Sequence, residues 1–196
     1  LFERLVPRPR PIAGRVFATL EYDDLPAMIA AFAAEAPIPR NGIEAACFGV
    51  AGPVLGETAQ LTNVPWRVDA RHLAETLNIP RVRLLNDVQA MACALPVLAP
   101  SELHVLQPGV VIAGGNMALI AAGTGLGQAV LHFVDGRFVP MPCEAGHADF
   151  AARTETDITV LRAIVARYGR ASVEHVVSGR GLLNVHQAIH AEPCRA

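Results

Sequence analysis

The sequence predicts an α/β fold. In the first half, short apolar strand patterns alternate with helical ones, the order that builds parallel sheets with crossover helices. In the second half, an apolar strand, a glycine-rich turn and another strand precede a long helix. Hydrophobic residues make up 52% of the chain and charged residues 17%, the composition of a chain that packs a core. A chain of 196 residues suits one large domain or two small lobes, and at this length roughly 70% of the unfolded surface is buried on folding.

Arg15–Tyr22, "RVFATLEY", alternates as a strand does. Asp24 then caps a helix in which Leu25, Met28, Ile29 and Phe32 recur at helical spacing and Pro26 falls in the tolerant first turn. Ile43–Val50 is a second strand, closed by the turn pair Gly52–Pro53. Asp69–Asn78 is a short helix. Val82–Leu85 is a third strand, apolar except for Arg83, and reads as a central parallel strand. Pro96–Gly109 holds three prolines and a glycine and reads as a connection between lobes. Met117–Ala122 is an apolar strand, "GTGLG" follows, and Gln128–Val134 is its neighbour. Asp135–Gly136 signals a hairpin, and Arg137–Pro140 returns. "IAGG" at Ile112–Gly115 reads as loop. Glu155–Tyr168 is a helix with Ile158, Leu161, Ile164 and Val165 on one face and Gly169 beyond its end. Gly181–His190 is also helical.

Several functions are excluded by composition. The net charge is −2 and no basic block is present, so nucleic acid is not a partner. All sixteen basic residues are Arg, so a P-loop lysine is impossible. Cys47, Cys93, Cys143 and Cys194 are far apart without a CxxC pair, and read as buried reduced thiols rather than a zinc site. No apolar run spans a bilayer and no signal peptide opens the chain, so no membrane is expected. The chain begins on Leu1 and stops at Ala196 without a closing element, and reads as a piece of something longer.

Four stretches carry chemistry. Gly123, Gly125 and Gly127 free the backbone of Cβ atoms, and Thr124 adds a hydroxyl. The GxGxG spacing sits between strands, which argues against a dinucleotide fingerprint opening a helix. A tight glycine hairpin and a phosphate cradle both remain open. "EAGH" sets Glu144 and His147 around Gly146, and Glu174 stands in an apolar context after the long helix, where a helix-start acid is the plain alternative. In "LLNDVQA", Asn86 or Asp87 would cap a helix running from Val88 to Leu95. The end of a parallel strand is also where open α/β sheets put ligands, so Asn86 can cap while Asp87 serves a cleft.

Taken together, "FGVAGPV", "LTNVPWRVDA", "VRLLNDVQA", "NMALIAAGTGLG", "EAGHADF" and "VEHVVSGRGLLNV" resemble, in order and spacing, the ATP-dependent bacterial glucokinases of the hexokinase–actin–Hsp70 superfamily. The resemblance runs from about Arg15 to His190. It implies a two-lobed, ribonuclease-H-like actin/hexokinase-type α/β fold, incomplete here: residues 1–109 as a small lobe without its first phosphate-binding strand-turn, and 110–196 as the first part of the large lobe. It implies that Asp87 is the base that takes the proton of the sugar 6-hydroxyl and that Asn86, Glu144, His147 and Glu174 bind glucose. It implies that Gly123, Thr124, Gly125 and Gly127 bind phosphates of ATP, with Mg²⁺. Ala145 departs from the Gly common in the family. A cytoplasmic enzyme is implied, and homodimers are common among its members.

The chemistry agrees with those residue types. A hexose offers only hydroxyls, and Asn, Glu and His supply fixed acceptors and donors. Phosphoryl transfer needs positioning, charge stabilisation and one base. The Asp–x–Gly–Gly–Thr opening of the family and its later adenosine-contacting segment are not in this sequence, so the chain alone is expected to bind glucose weakly and phosphorylate it negligibly. The alternative is a non-catalytic sugar sensor of the same superfamily. The sensor branch usually carries a DNA-binding segment and a clustered-cysteine motif after Gly–His, and neither is visible.

Overall fold

In the computed structural model, residues 1–6, 8–38, 42–62 and 64–190 are described. The chain divides into two compact units, Leu1–Pro108 and Gly109–Ala196.

The first unit opens with a short antiparallel pair, β1 (Phe2–Glu3) and β2 (Arg10–Pro11). Helix α1 (Leu25–Glu35) starts where predicted: the Asp24 carboxylate accepts the Ala27 N–H at 2.8 Å and Pro26 lies in the first turn. Strand β3 (Ala46–Val50) leads into a three-stranded antiparallel sheet of β4 (Val54–Leu55), β5 (Thr58–Gln60) and β6 (Arg67–Asp69). Helix α2 (Ala70–Leu77) follows, capped by Asp69 and ended by Asn78 in the left-handed conformation (φ 51°). The chain then crosses back to β7 (Val82–Asn86), which pairs parallel to β3 with Val50 opposite Asn86. Helix α3 (Asp87–Ala92) leaves that strand end directly. The core joins Leu25 of α1, Leu73 of α2 and Leu84 of β7 to Val50, Trp66 and Val68.

In the second unit, β8 (Met117–Ala122), β9 (Leu126–Val134) and β10 (Arg137–Cys143) form an antiparallel meander with β9 in the middle. Asp135 and Gly136 both take positive φ (49° and 77°), as a two-residue primed hairpin turn requires. Helix α4 (Glu155–Tyr168) begins in a reciprocal capping box: Asp157 N–H donates to Thr154 Oγ1 at 3.1 Å, and Thr154 N–H to Asp157 Oδ2 at 3.0 Å. It ends at Gly169 (φ 80°) and packs against α5 (Gly179–His190) around Val160, Ile164 and Ala171.

Three expectations need correction. Arg15–Tyr22 is not a strand: Thr19–Glu21 is a single 3₁₀ turn, Val16 is 96% exposed, and among the described residues no strand pairs with the segment. Alternation alone cannot make a strand whose backbone groups meet no ladder. The buried face of α4 is Val160 and Ile164, with Leu161 and Tyr168 beside them, while Val165 is 41% exposed. The face is therefore rotated from the predicted one. Cys47 and Cys93 are exposed rather than buried, and Cys143 is half-buried; these three are free thiols, and Cys194 lies outside the described residues. Partial desolvation still pushes the Cys47 and Cys93 thiols up, toward the protonated and less reactive form.

Candidate active site

In the first unit, Asn86 and Asp87 divide the work at the end of β7. Asn86 is the helix cap: its Oδ1 accepts the Val88 and Gln89 N–H groups at 3.0 and 3.3 Å, and its Nδ2 donates to the Gly52 carbonyl at 3.4 Å. Asp87 Oδ1 accepts the Val88 N–H at 2.8 Å while the side chain stays exposed.

In the second unit, the other predicted segments are drawn together by backbone and side-chain hydrogen bonds. Ala122 pairs with Leu126, leaving Gly123–Gly125 as a tight turn closed by Gly123 N–H donating to Gly125 O at 2.9 Å. Gly127 lies in strand β9 opposite Ala121. Gly123 and Thr124 are exposed, and a Cβ on Gly123 would meet nothing within 4 Å.

Glu144 precedes and His147 ends a 3₁₀ turn at Ala145–His147, with His147 Nε2 3.8 Å from Glu144 Oε2. Both side chains are exposed, at 82% and 62% for Glu144 and His147. Gly146 between them is buried, and a Cβ there would stand 2.3 Å from the Leu126 carbonyl oxygen. Only glycine lets this turn lie against the start of β9.

Glu174 links the pieces. Its N–H donates to Gly146 O at 2.9 Å, and its Oε2 accepts the Leu126 N–H at 2.8 Å. On either side, Val173 N–H donates to Ala148 O and Gly179 N–H to Gly123 O, at 2.9 and 2.8 Å. Glu174 is therefore not the solvated helix-start acid of the plain alternative. It is a half-buried residue whose carboxylate is fastened to the base of the glycine turn and whose backbone N–H is fastened to the EAGH turn.

Two hollows lie elsewhere. One of about 310 Å³ in the first unit is lined by residues that include Asp24, Trp66 and His72; one of about 120 Å³ in the second lies between α4 and α5. No predicted site residue lines either.

A family profile described as glucokinase matches residues 4–196. The chain belongs to the glucokinase family. The glucokinase of Trichormus variabilis is 40% identical over 169 residues, 85% of this chain and 49% of that protein. That of Erwinia tasmaniensis is 35% identical over 186 residues, 92% of this chain and 56% of that one. A glucokinase crystal structure from an Antarctic psychrotroph superposes with a TM-score of 0.78 at 25% identity, covering 92% of this chain and 56% of the other. The glucokinase of Balamuthia mandrillaris, solved in complex with glucose, matches in fold with a TM-score of 0.56 at 23% identity, over 83% of this chain and 52% of that one. The chain thus spans about half the length of the curated glucokinases it matches, and its mixed α/β fold corresponds to part of the solved ones.

Sequence reasoning missed the residues that hold Glu174 in place. Leu126 acts through its backbone and leaves no signal in its side chain. Asn184 is different: it is a polar residue on the buried side of α5, 5% exposed, and an amide in the middle of "LLNV" was readable as a buried polar group in need of partners.

Proposed function

We propose that this chain is the sugar-binding part of a glucokinase, with the two-lobed ribonuclease-H-like architecture of the hexokinase type, residues 1–109 supplying a small lobe and 110–196 the beginning of a large one. The reaction transfers the terminal phosphoryl group of ATP to the 6-hydroxyl of glucose in the cytoplasm. Asp87 takes the hydroxyl proton. Asn86, Glu144, His147 and Glu174 accept and donate hydrogen bonds to the other hydroxyls, and a site of this kind rejects analogues that leave its polar groups unpaired. Gly123, Thr124, Gly125 and Gly127 form the phosphate turn. ATP supplies the phosphoryl group and Mg²⁺ offsets its charge.

The observation that carries this reading is the Glu174 clasp, in which one residue joins both turns: its carboxylate accepts the Leu126 N–H at the base of the glycine turn, and its backbone N–H donates to Gly146 O in the EAGH turn. That position suits an acid that orients a sugar next to its phosphoryl donor.

The test is a coupled assay of glucose 6-phosphate formation by a full-length enzyme carrying this segment, beside Asp87→Ala and Glu174→Ala. Asp87→Ala is expected to lose turnover with glucose binding retained, and Glu174→Ala to lose glucose affinity. Full activity in Asp87→Ala would refute the assignment of the base.

A further inference from the structure

The loop carrying Glu174 is pinned from behind by an amide to which the sequence reading gave no role. Asn184 Nδ2 donates to the His175 carbonyl at 3.0 Å. Its Oδ1 accepts the Tyr168 hydroxyl at 3.0 Å and Arg167 Nη1 at 3.5 Å. Arg167 also reaches Gln187 Oε1 at 3.0 Å. The His175 ring lies flat on Tyr168, with centroids 4.6 Å apart and planes 9° apart, and its Nδ1 accepts the Ser172 N–H at 3.1 Å. The last turn of α4, the middle of α5 and the loop 172–178 therefore meet at one buried side chain.

We propose that Asn184 is a positioning residue for the sugar site, acting through His175 on its neighbour Glu174. This rests on the reading that Glu174 binds glucose. The argument is geometric. Glu174 is half-buried, with its own N–H on Gly146 O and its carboxylate on Leu126 N–H. Its neighbour His175 is held at both ends of its backbone, the N–H on Ser172 O at 3.1 Å and the carbonyl by the Asn184 amide. The first of these holds is local to the loop, and the second ties the loop to α5. A buried amide satisfied on both its donor and acceptor sides has one stable orientation, because each flip leaves a desolvated group unpaired. The His175 carbonyl is thereby fixed, and with it the direction in which Glu174 leaves the chain.

Asn184→Asp separates the two halves of the amide. It keeps an acceptor for Tyr168 and Arg167 but sets an oxygen against the His175 carbonyl. Hydrogen exchange reads the result without any ligand. In Asn184→Asp, the Glu174 and Leu126 amides are expected to lose protection while the interior amides of α4 keep theirs. In a full-length enzyme the glucose KM should rise about tenfold, a coupling of the size neighbouring residues show, with the ATP KM and kcat little changed. Combined with Glu174→Ala, Asn184→Asp should cost no further glucose affinity. Unchanged exchange at Glu174 and Leu126 overturns the proposal, as does an additive double mutant. If Glu174→Ala alone leaves glucose affinity intact, it is the sugar-site reading that fails, and the proposal with it. Should Asn184→Asp not fold, the same amides are read in Tyr168→Phe, which removes one donor from Asn184 Oδ1; faster exchange at Glu174 and Leu126 supports the proposal, and unchanged exchange overturns it.

Discussion

Glu174 and Leu126 are joined by a 2.8 Å hydrogen bond from the backbone N–H of the leucine to the carboxylate of the glutamate. Residues 48 apart in sequence thus connect the base of the glycine turn to the loop after α4. The bond also consumes one of the N–H groups near the turn, so the turn and the carboxylate cannot be perturbed independently.

The glycines of the turn are accordingly unequal. A Cβ on Gly125 would stand 2.7 Å from Glu174 Oε2, whereas one on Gly123 meets nothing within 4 Å. The obstructed atom is the end of a flexible side chain, so Gly125→Ala is expected to fold and to push the carboxylate off Leu126. Glucose affinity should fall in Gly125→Ala by more than in Gly123→Ala, with thermal midpoints of the two within a few degrees. Equal glucose affinities would mean that the clasp does not shape the sugar site.

Gly146 is a matter of fold rather than affinity. A Cβ there would press to 2.3 Å of a backbone oxygen, Leu126 O, which cannot swing away as a side chain does. Overpacking of this kind costs about 1–3 kcal/mol, so Gly146→Ala should lower the denaturant midpoint clearly. Ala145→Gly, at the neighbouring exposed position, should shift it little. Equilibrium unfolding in urea distinguishes the two.

Asn86 and Asp87 should separate stability from catalysis. Removing the Asn86 cap costs about 1 kcal/mol, so Asn86→Ala should destabilise the fold, and Asn86→Asp, which retains an acceptor for Val88 and Gln89, should recover most of the loss. Asp87→Ala leaves that cap in place. Its effect should appear in kcat of a full-length enzyme, by about 10²–10⁴-fold for a lost general base. Paired melting and steady-state measurements decide; a large melting loss in Asp87→Ala with kcat unchanged would reverse the two roles.

The legible parts of the chain are those in which one residue states its own job. Asp24, Asp69 and Gly169 mark helix ends, and Asp135–Gly136 marks a hairpin, because local hydrogen bonding and positive φ depend on residue type. Asn86 and Glu174 were legible as polar residues in apolar surroundings, but their partners were not, since Gly52 and Leu126 contribute backbone atoms from distant segments. Arg15–Tyr22 misleads for the same reason in reverse: alternation is a property of the segment, and a strand is a property of a pair. The rotated face of α4 reflects packing against α5, where Val160 and Ile164 point at a partner that periodicity alone does not specify.

Acid should weaken the fold through two helix caps. The His72 and Arg71 N–H groups hold the Asp69 carboxyl below its usual value of 3.8, and the Arg153 N–H, with the Thr154 hydroxyl and N–H, does the same for Asp157. A carboxyl depressed on folding stabilises the protein above its unfolded pKa, and that contribution is lost as pH falls through the folded value. Both residues lie partly exposed at the surface, so solvent screening keeps the effect small. Asn at either position can still accept the capping N–H but does not titrate. The double variant Asp69→Asn, Asp157→Asn should therefore melt below the parent at pH 6, and the gap should narrow as the pH is lowered past the ordinary aspartate range. A gap that stays constant from pH 6 to pH 3 would show that charge on these caps contributes nothing, leaving acid sensitivity to other carboxylates such as Glu102, which the Arg8 guanidinium also holds down.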